Sequence, residues 1–272
     1  MSIKTSLRRL ALGMYRNMRY SNGLQICYNR IFRHGSRLEH YVWKKRFHFV
    51  ADPRVNDHFS LHEIFCGRIY DSLLARCAST DGRCKYVNVG ANIGGFDVKV
   101  MEMGFGIDGS VAVELNPATC ERCRVNFRAN GVAATLINAG IAGEDGTVDF
   151  HPGADSLQDS IYGIRGGVGG AAVRLLSLGR LMEDYPGDGS GYDLLKLDCE
   201  GAEYAILRHT PISALRRFRN ILVEFHAEPP GGSVDDAYRK LGQAGFAGAN
   251  RGPRKGVFVE LFTRSGGVGD DR

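Results

Sequence analysis

The chain has 272 residues, 43% hydrophobic and 24% charged, enough to bury a full core as one α/β domain with an N-terminal extension. No run approaches the roughly 18 apolar residues of a membrane span, the apolar stretch within residues 6–14 is too short for a secretory signal, and seven cysteines at irregular spacings make no disulfide framework. These features exclude a membrane-spanning protein and a disulfide-stapled secreted scaffold, and they imply a cytoplasmic protein with reduced thiols.

The net charge of +5 hides an asymmetry: residues 1–50 carry eleven Lys/Arg against one acid, Glu39, a formal +10, and the rest carries 24 basic and 29 acidic residues, a formal −5. Within this arm Leu7, Leu10, Met14 and Met18 recur at helical spacing among Arg8, Arg9, Arg16 and Arg19. Such a helix suits docking on its own domain, resting at an anionic membrane surface, which would place the protein at the inner membrane face, or binding nucleic acid. A second helix is expected from His62-Glu63-Ile64-Phe65 to Leu73-Leu74.

Residues 85–96, Lys85-Tyr86-Val87-Asn88-Val89-Gly90-Ala91-Asn92-Ile93-Gly94-Gly95-Phe96, read as a strand, a ligand-cradling turn and a helix. A dinucleotide fingerprint would need glycine at 92, where this chain has Asn92, and a phosphate-binding P-loop would need Gly-Lys-Ser/Thr after the turn. The loop therefore cradles neither NAD nor ATP in the usual way. Ser110-Val111-Ala112-Val113-Glu114 is a second short strand, and its terminal carboxylate lies where α/β folds bind a ribose. Asn116-Pro117 opens a helix through Asn130. Within it Cys120 and Cys123 lack a second ligand pair and suit helix packing better than zinc.

Ala134–Ala139 reads as a third strand and Gly146–Phe150 as a short added one. Residues 151–172, rich in Gly, Ser and Asp, read as a mobile loop able to cover an acceptor. The run Tyr192-Asp193-Leu194-Leu195-Lys196-Leu197-Asp198-Cys199-Glu200-Gly201-Ala202-Glu203 is a buried strand delivering Asp198, Glu200 and Glu203 to its carboxyl end, where open parallel sheets bind ligands. Lys196, mid-strand, is expected to pair with an acid of the neighbouring edge. Asn220-Ile221-Leu222-Val223-Glu224-Phe225-His226 repeats the arrangement, with Glu224 and His226 on one strand face. Ser233 caps a last helix, and residues 256–262 form a final strand.

The set Val87–Gly94, Glu114-Leu115-Asn116-Pro117, Leu195–Glu203 and Glu224-Phe225-His226 resembles the FkbM-type S-adenosylmethionine-dependent methyltransferases, over roughly residues 55 to 265. The resemblance implies an α/β, doubly wound, Rossmann-like fold of class I methyltransferase type: a seven-stranded, mostly parallel sheet with one antiparallel strand, the last, plus an N-terminal helical extension. It divides the chain into a basic extension at 1–54, a methyltransferase domain at 55–265 and a disordered glycine-rich tail at 266–272. It implies S-adenosyl-L-methionine as cofactor, held by Asn88, Gly90, Asn92, Gly94, Glu114, Asn138 and Asp198, with Asn138 to Ile141 meeting the adenine. The family usually carries Asp where this chain has Asn88, which implies weaker cofactor binding at the methionine end.

The sulfonium methyl is already electrophilic, so the protein must align a nucleophile and remove its proton. Asp198, Glu200, Glu224 and His226 are the candidates: His226 as base or acceptor positioner, oriented by Glu224 or Glu200, or alternatively capping a buried strand. Asp198, Glu224 and His226 also permit a divalent metal, which no spacing demands. Three functions remain open. The first is an O-methyltransferase of a saccharide, glycolipid or secondary-metabolite hydroxyl; the second, an RNA or other macromolecule methyltransferase using the basic arm; the third, a cofactor-binding scaffold without turnover. The lack of an Asp/Asn-Pro-Pro-Tyr/Phe motif argues against base amino-group methylation.

Overall fold

The computed structural model of the chain describes residues 3–32, 38–77, 81–151, 170–186, 189, 191–248 and 256–264, with side chains from residue 11 onward. The amphipathic N-terminal segment forms α1 (Ile3–Met18), followed by α2 (Gly23–Phe32). An antiparallel hairpin then joins β1 (Glu39–Trp43) to β2 (Phe47–Ala51), so the extension is not helical throughout. Its turn carries Lys44 and Lys45 at φ +50° and +55°, a conformation that glycine or asparagine normally marks in a sequence. Alternation supplies the hairpin's inner face: Tyr41, Trp43, Phe47 and Phe49 are buried, and Phe49 packs on Phe65 with ring centroids 5.2 Å apart.

The helix expected over 62–74 is broken. After α3 (Asp57–Leu61) the chain makes a π-helical turn at His62–Gly67, and Arg68 at φ +58° redirects it into α4 (Asp71–Cys77). Such turns often mark functional positions, and this one carries Glu63 and Ile64 to the cleft described below.

The main domain runs β3 (Tyr86–Val89), α5 (Gly95–Glu102), β4 (Val111–Glu114), α6 (Pro117–Asn130), β5 (Thr135–Asn138), β6 (Gly140–Ala142), β7 (Gly146–Phe150), β8 (Ala171–Ser177) and α7 (Leu178–Asp184). It continues as β9 (Tyr192–Leu197), α8 (Glu203–His209), α9 (Ile212–Leu215), β10 (Phe218–Phe225), α10 (Val234–Gln243), β11 (Phe246–Gly248) and β12 (Phe258–Arg264). Seven strands form one sheet in the order β11-β12-β10-β9-β3-β4-β5. Every pairing is parallel except those of β12, which runs antiparallel to β10 and β11. The expected fold is therefore present. The sheet includes the short β11, which the sequence reading does not contain, while β6, β8 and β7 form a separate three-stranded sheet. The loop expected over 151–172 lies mostly outside the described residues, and its end, from Ala171, begins β8. The tail at 266–272 lies outside them too.

Parallel strands covered on both faces read as near-continuous apolar runs, and the alternation sorts their side chains. Val87, Val89, Leu195, Leu197, Ile221 and Val223 pack towards α7, α8 and α10, whereas Tyr86, Leu194 and Leu222 pack towards α5 and the aromatic residues of the hairpin. α6 ties the extension to the domain. Asn130 exchanges two hydrogen bonds with the His48 backbone (2.8 and 2.6 Å), and Asn126 exchanges two with Val50 (2.7 and 3.1 Å), so side-chain amides take the place of a neighbouring strand along β2. No helix among the described residues is long and apolar enough to cross a membrane.

Candidate functional site

The strand order reverses between β3 and β9: the chain fills one side of β3 with β4 and β5, then returns to place β9 and β10 on the other. Ligands bind open α/β sheets at the carboxyl ends of strands at such a switch point. A cleft of about 560 Å³ opens there, and Gly90, Asn92, Glu114, Asp198, Glu200, Glu224 and His226 all line it.

The turn after β3 is shaped by close approach. Gly90 has φ +79°, and a Cβ there would stand 1.8 Å from the carbonyl oxygen of Asp198, so only glycine lets β3 and β9 run this close. Gly94, at φ +84°, serves packing against α6 instead, since it does not line the cleft and a Cβ would meet the Phe127 ring at 2.7 Å. Glu114 is buried, with one carboxylate oxygen accepting from the Asn92 backbone N–H (2.8 Å) and the other from that of Asn116 (2.9 Å). Two amides thus hold the acid at the strand end.

Like Gly94, two further expected cofactor contacts lie outside the cleft wall. Asn88 is fully buried and donates to Asp97 on α5 (2.9 Å), which also accepts from the Tyr86 hydroxyl (2.8 Å). Burial pushes the Asp97 carboxyl up to about 6, against the hydrogen bonds from Tyr86 and Asn88. Asn138 donates to the carbonyls of Glu114 and Leu115 (2.8 and 3.0 Å), and the cleft is lined instead by Ala139, Gly140 and Ile141.

The other end of the cleft is rich in charge. Lys196, nearly buried, donates to Asp198 (3.0 Å), just past the end of its own strand, and to the Gly90 carbonyl (3.3 Å) after β3, rather than to an acid of the neighbouring edge. His226 sits between carboxylates: Nδ1 lies 3.1 Å from Glu203, Nε2 lies 3.4 Å from Glu200, and Asp198 is 3.9 Å away. Burial pulls the His226 ring down, but hydrogen bonds and charge from Glu200 and Glu203 outweigh it and raise the pKa to about 11. The ring is therefore an imidazolium at neutral pH, a donor rather than a proton acceptor. Its orienting residue is Glu203, which is fully buried and also accepts from the backbone N–H groups of His226 (2.8 Å) and Gly201 (2.9 Å). Glu200 itself stands at φ +52°, a left-handed conformation that non-glycine residues adopt rarely.

Glu224 is poised differently. Burial and the negative charges of Asp198 and Glu63 push its carboxyl up to about 7, against the pull of Lys196 and His226. Buried Tyr70 lines the same end, its phenol pushed well above its ordinary pKa by burial first and then by the negative charges of Asp198 and Glu224. Glu63, from the π-helical turn, lines the same end, its pKa likewise raised by burial and by Asp198. Ligand atoms of Asp198, Glu224 and His226 come within 4.8 Å of one another. They fit a divalent metal poorly, because Lys196 already neutralises Asp198 and both ring nitrogens of His226 are committed to carboxylates. Lys196, Tyr70 and Glu63 are thus site residues absent from the sequence-derived set, and Glu203, which the sequence places at the same strand end, takes the orienting role expected of Glu224 or Glu200. All seven cysteines are free thiols.

Fold and cleft together define a doubly wound α/β domain with a nucleoside-sized site at its switch point. Residues 88–247 match the family described as the methyltransferase FkbM domain, more than half of the chain, and the chain belongs to that family. No protein of curated function matches it. Among solved structures it is similar to the methyltransferase FkbM from Methylobacillus flagellatus KT, at 12% identity and TM-score 0.47, over 66% of this chain and 44% of that one. It thus spans less than half of that relative's length. It is also similar to magnesium protoporphyrin IX methyltransferase from Synechocystis PCC 6803 with bound SAM (14% identity, TM-score 0.39, 93% of this chain and 96% of that one). A third likeness is to fibrillarin from Aeropyrum pernix with natively bound S-adenosyl-L-methionine (12% identity, TM-score 0.38, 66% of each chain).

Proposed function

We propose that the protein is an S-adenosylmethionine-dependent O-methyltransferase whose acceptor is a neutral hydroxyl compound: a saccharide, a glycolipid or a polyhydroxylated secondary metabolite. The cofactor fits the residues present. Gly90 lines the cleft with no side chain, Glu114 is fixed for the ribose, and Ala139 to Ile141 line the adenine end. When bound, it supplies an electrophilic sulfonium methyl group.

What this chain adds is positioning and proton transfer, and the observation that carries the reading is Glu224, with a pKa of about 7 at the cleft's charged end. A base with a pKa near the working pH combines availability with strength. Glu224 receives the acceptor's hydroxyl proton, Lys196 offers its remaining N–H to the acceptor oxygen, and the His226 imidazolium, held by Glu200 and Glu203, balances the charge that forms. The carboxylates of Glu63, Asp198, Glu200 and Glu224 accept hydrogen bonds from a polyol and repel a phosphodiester, which favours this reading over RNA. The scaffold reading loses its motive, since Asn88 lies outside the cleft. Glu224→Gln should lower kcat by about 10² to 10⁴ while leaving S-adenosylhomocysteine affinity within threefold. Calorimetric titration showing binding of neither S-adenosylmethionine nor S-adenosylhomocysteine to the wild type would refute the assignment.

A further inference from the structure

The N-terminal helices leave an apolar face uncovered. On α2, Leu24, Tyr28, Ile31 and Phe32 fall at i, i+4, i+7 and i+8, one side of the helix, and are 75%, 53%, 47% and 67% exposed. Ile26, on the other side, is buried with the hairpin aromatics, and Cys27, next to Ile31, is buried against α1 with its thiol 4.0 Å from the Met14 carbonyl. The amphipathic pattern is thus doubled: α2 has one apolar side for its own core and a second facing solvent, with the Tyr28 and Phe32 rings 5.0 Å apart. Beside this face lies a cavity of about 540 Å³ between α1, α2 and α3. Leu12, Met14 and Ile31 line it and are themselves solvent-exposed, and Arg16 stands in the same walls beside Arg30, which Glu39 pairs at 3.2 Å. Cations and open apolar surface therefore share one side of the molecule.

Charge decides what covers it. Residues 1–50 carry a formal +10, and neither Arg16 nor Arg19 has a carboxylate partner among the described residues. A second copy of this chain would set +10 against +10, and a nucleic acid would leave four large apolar side chains in water. An anionic lipid bilayer satisfies both features, because its headgroups neutralise Arg and Lys while the acyl boundary takes up the apolar face. We propose that α1 and α2 dock this protein on an anionic membrane surface, with the Leu24-Tyr28-Ile31-Phe32 face of α2 entering the headgroup–acyl boundary. The surface is separate from the cleft, so its test does not depend on the methyltransferase assignment.

The test is flotation of the full chain with vesicles of phosphatidylcholine alone or with about 30% phosphatidylglycerol. The expected result is binding to the anionic vesicles at least tenfold tighter than to neutral ones and weakened by about 0.5 M salt. The double variant Leu24→Ser/Phe32→Ser, altered only at exposed positions, should bind at least tenfold more weakly with an unchanged melting temperature. Three results would overturn the proposal: no flotation with anionic vesicles; flotation undiminished in the double variant; or absence of flotation combined with a dimer that the same substitutions disperse, which would assign the face to a second copy. RNA binding equal in wild type and variant, without flotation, would assign the basic arm to nucleic acid and likewise overturn it.

Discussion

The carboxylate clamp on His226 gives the sharpest quantitative expectation. Its pKa rises from 6.5 to about 11, which corresponds to roughly 6 kcal/mol of preference for the protonated ring, shared by Glu200 and Glu203. Glu203→Gln keeps the shape and removes one of the two charges, so the ring's pKa should fall part of the way back towards 6.5. The loss should appear in stability with a definite sign. A raised pKa favours the folded state fully below about pH 6.5, and the contribution declines from there and is gone above about 11. Wild-type melting temperature should therefore fall between pH 6 and pH 10 more steeply than that of Glu203→Gln, on top of a uniform loss from leaving the Gly201 N–H without a full acceptor. The direct assay is an NMR titration of the histidine Cε1–H resonances, with His226 assigned by its substitution. A wild-type His226 titrating between pH 6 and 7 would refute the clamp and restore the residue as a candidate base.

Further expectations concern the cleft and its supports. Gly90→Ala should lower S-adenosylhomocysteine affinity by tenfold or more by calorimetry, since its Cβ would stand 1.8 Å from the Asp198 oxygen; unchanged affinity would mean that the turn yields freely. The methyl-transfer rate, measured once an acceptor is in hand, should climb with pH through about 7 as Glu224 ionises, and Glu224→Gln should abolish that limb. Asn88→Asp should place two carboxylates side by side in the core at Asp97, lowering the melting temperature more at pH 8 than at pH 5 and leaving cofactor affinity unchanged. Exhaustive chelation should leave activity intact, because Lys196 and the His226 imidazolium already occupy the cation's place; loss restored by Mg²⁺ or Mn²⁺ would reverse that reading.

The parts legible in the sequence are those whose signals are local. Asn116, Pro117 and Gly131 punctuate α6 so strongly that its span, Pro117–Asn130, follows from caps alone. The apolar runs of β3, β4, β9 and β10 also announce themselves, and the family topology places the antiparallel β12. What stayed hidden depends on partners far along the chain. The hairpin turn uses Lys44 and Lys45 instead of glycine, so nothing in the composition marks it. Alternation along β3 turns Asn88 to the side opposite Val87 and Val89, towards α5, which no motif comparison reveals. Glu203 is visible as an acid after β9, but its hold on His226 arises only when α8 packs beside β10.

Asn126 bears on how independent the extension is. Besides clasping Val50, its amide donates to the carbonyl of Ile93 (2.8 Å), inside the turn that shapes the cleft. One fully buried side chain thus spans the hairpin and the ligand loop. Cutting the chain at residue 54 would strip Asn126 and Asn130 of their strand partners and loosen the turn, so a trimmed domain should bind the cofactor more weakly than the intact chain. The linkage is reciprocal: any gain in cofactor affinity that the hairpin's attachment confers returns as a tighter attachment when the cleft fills.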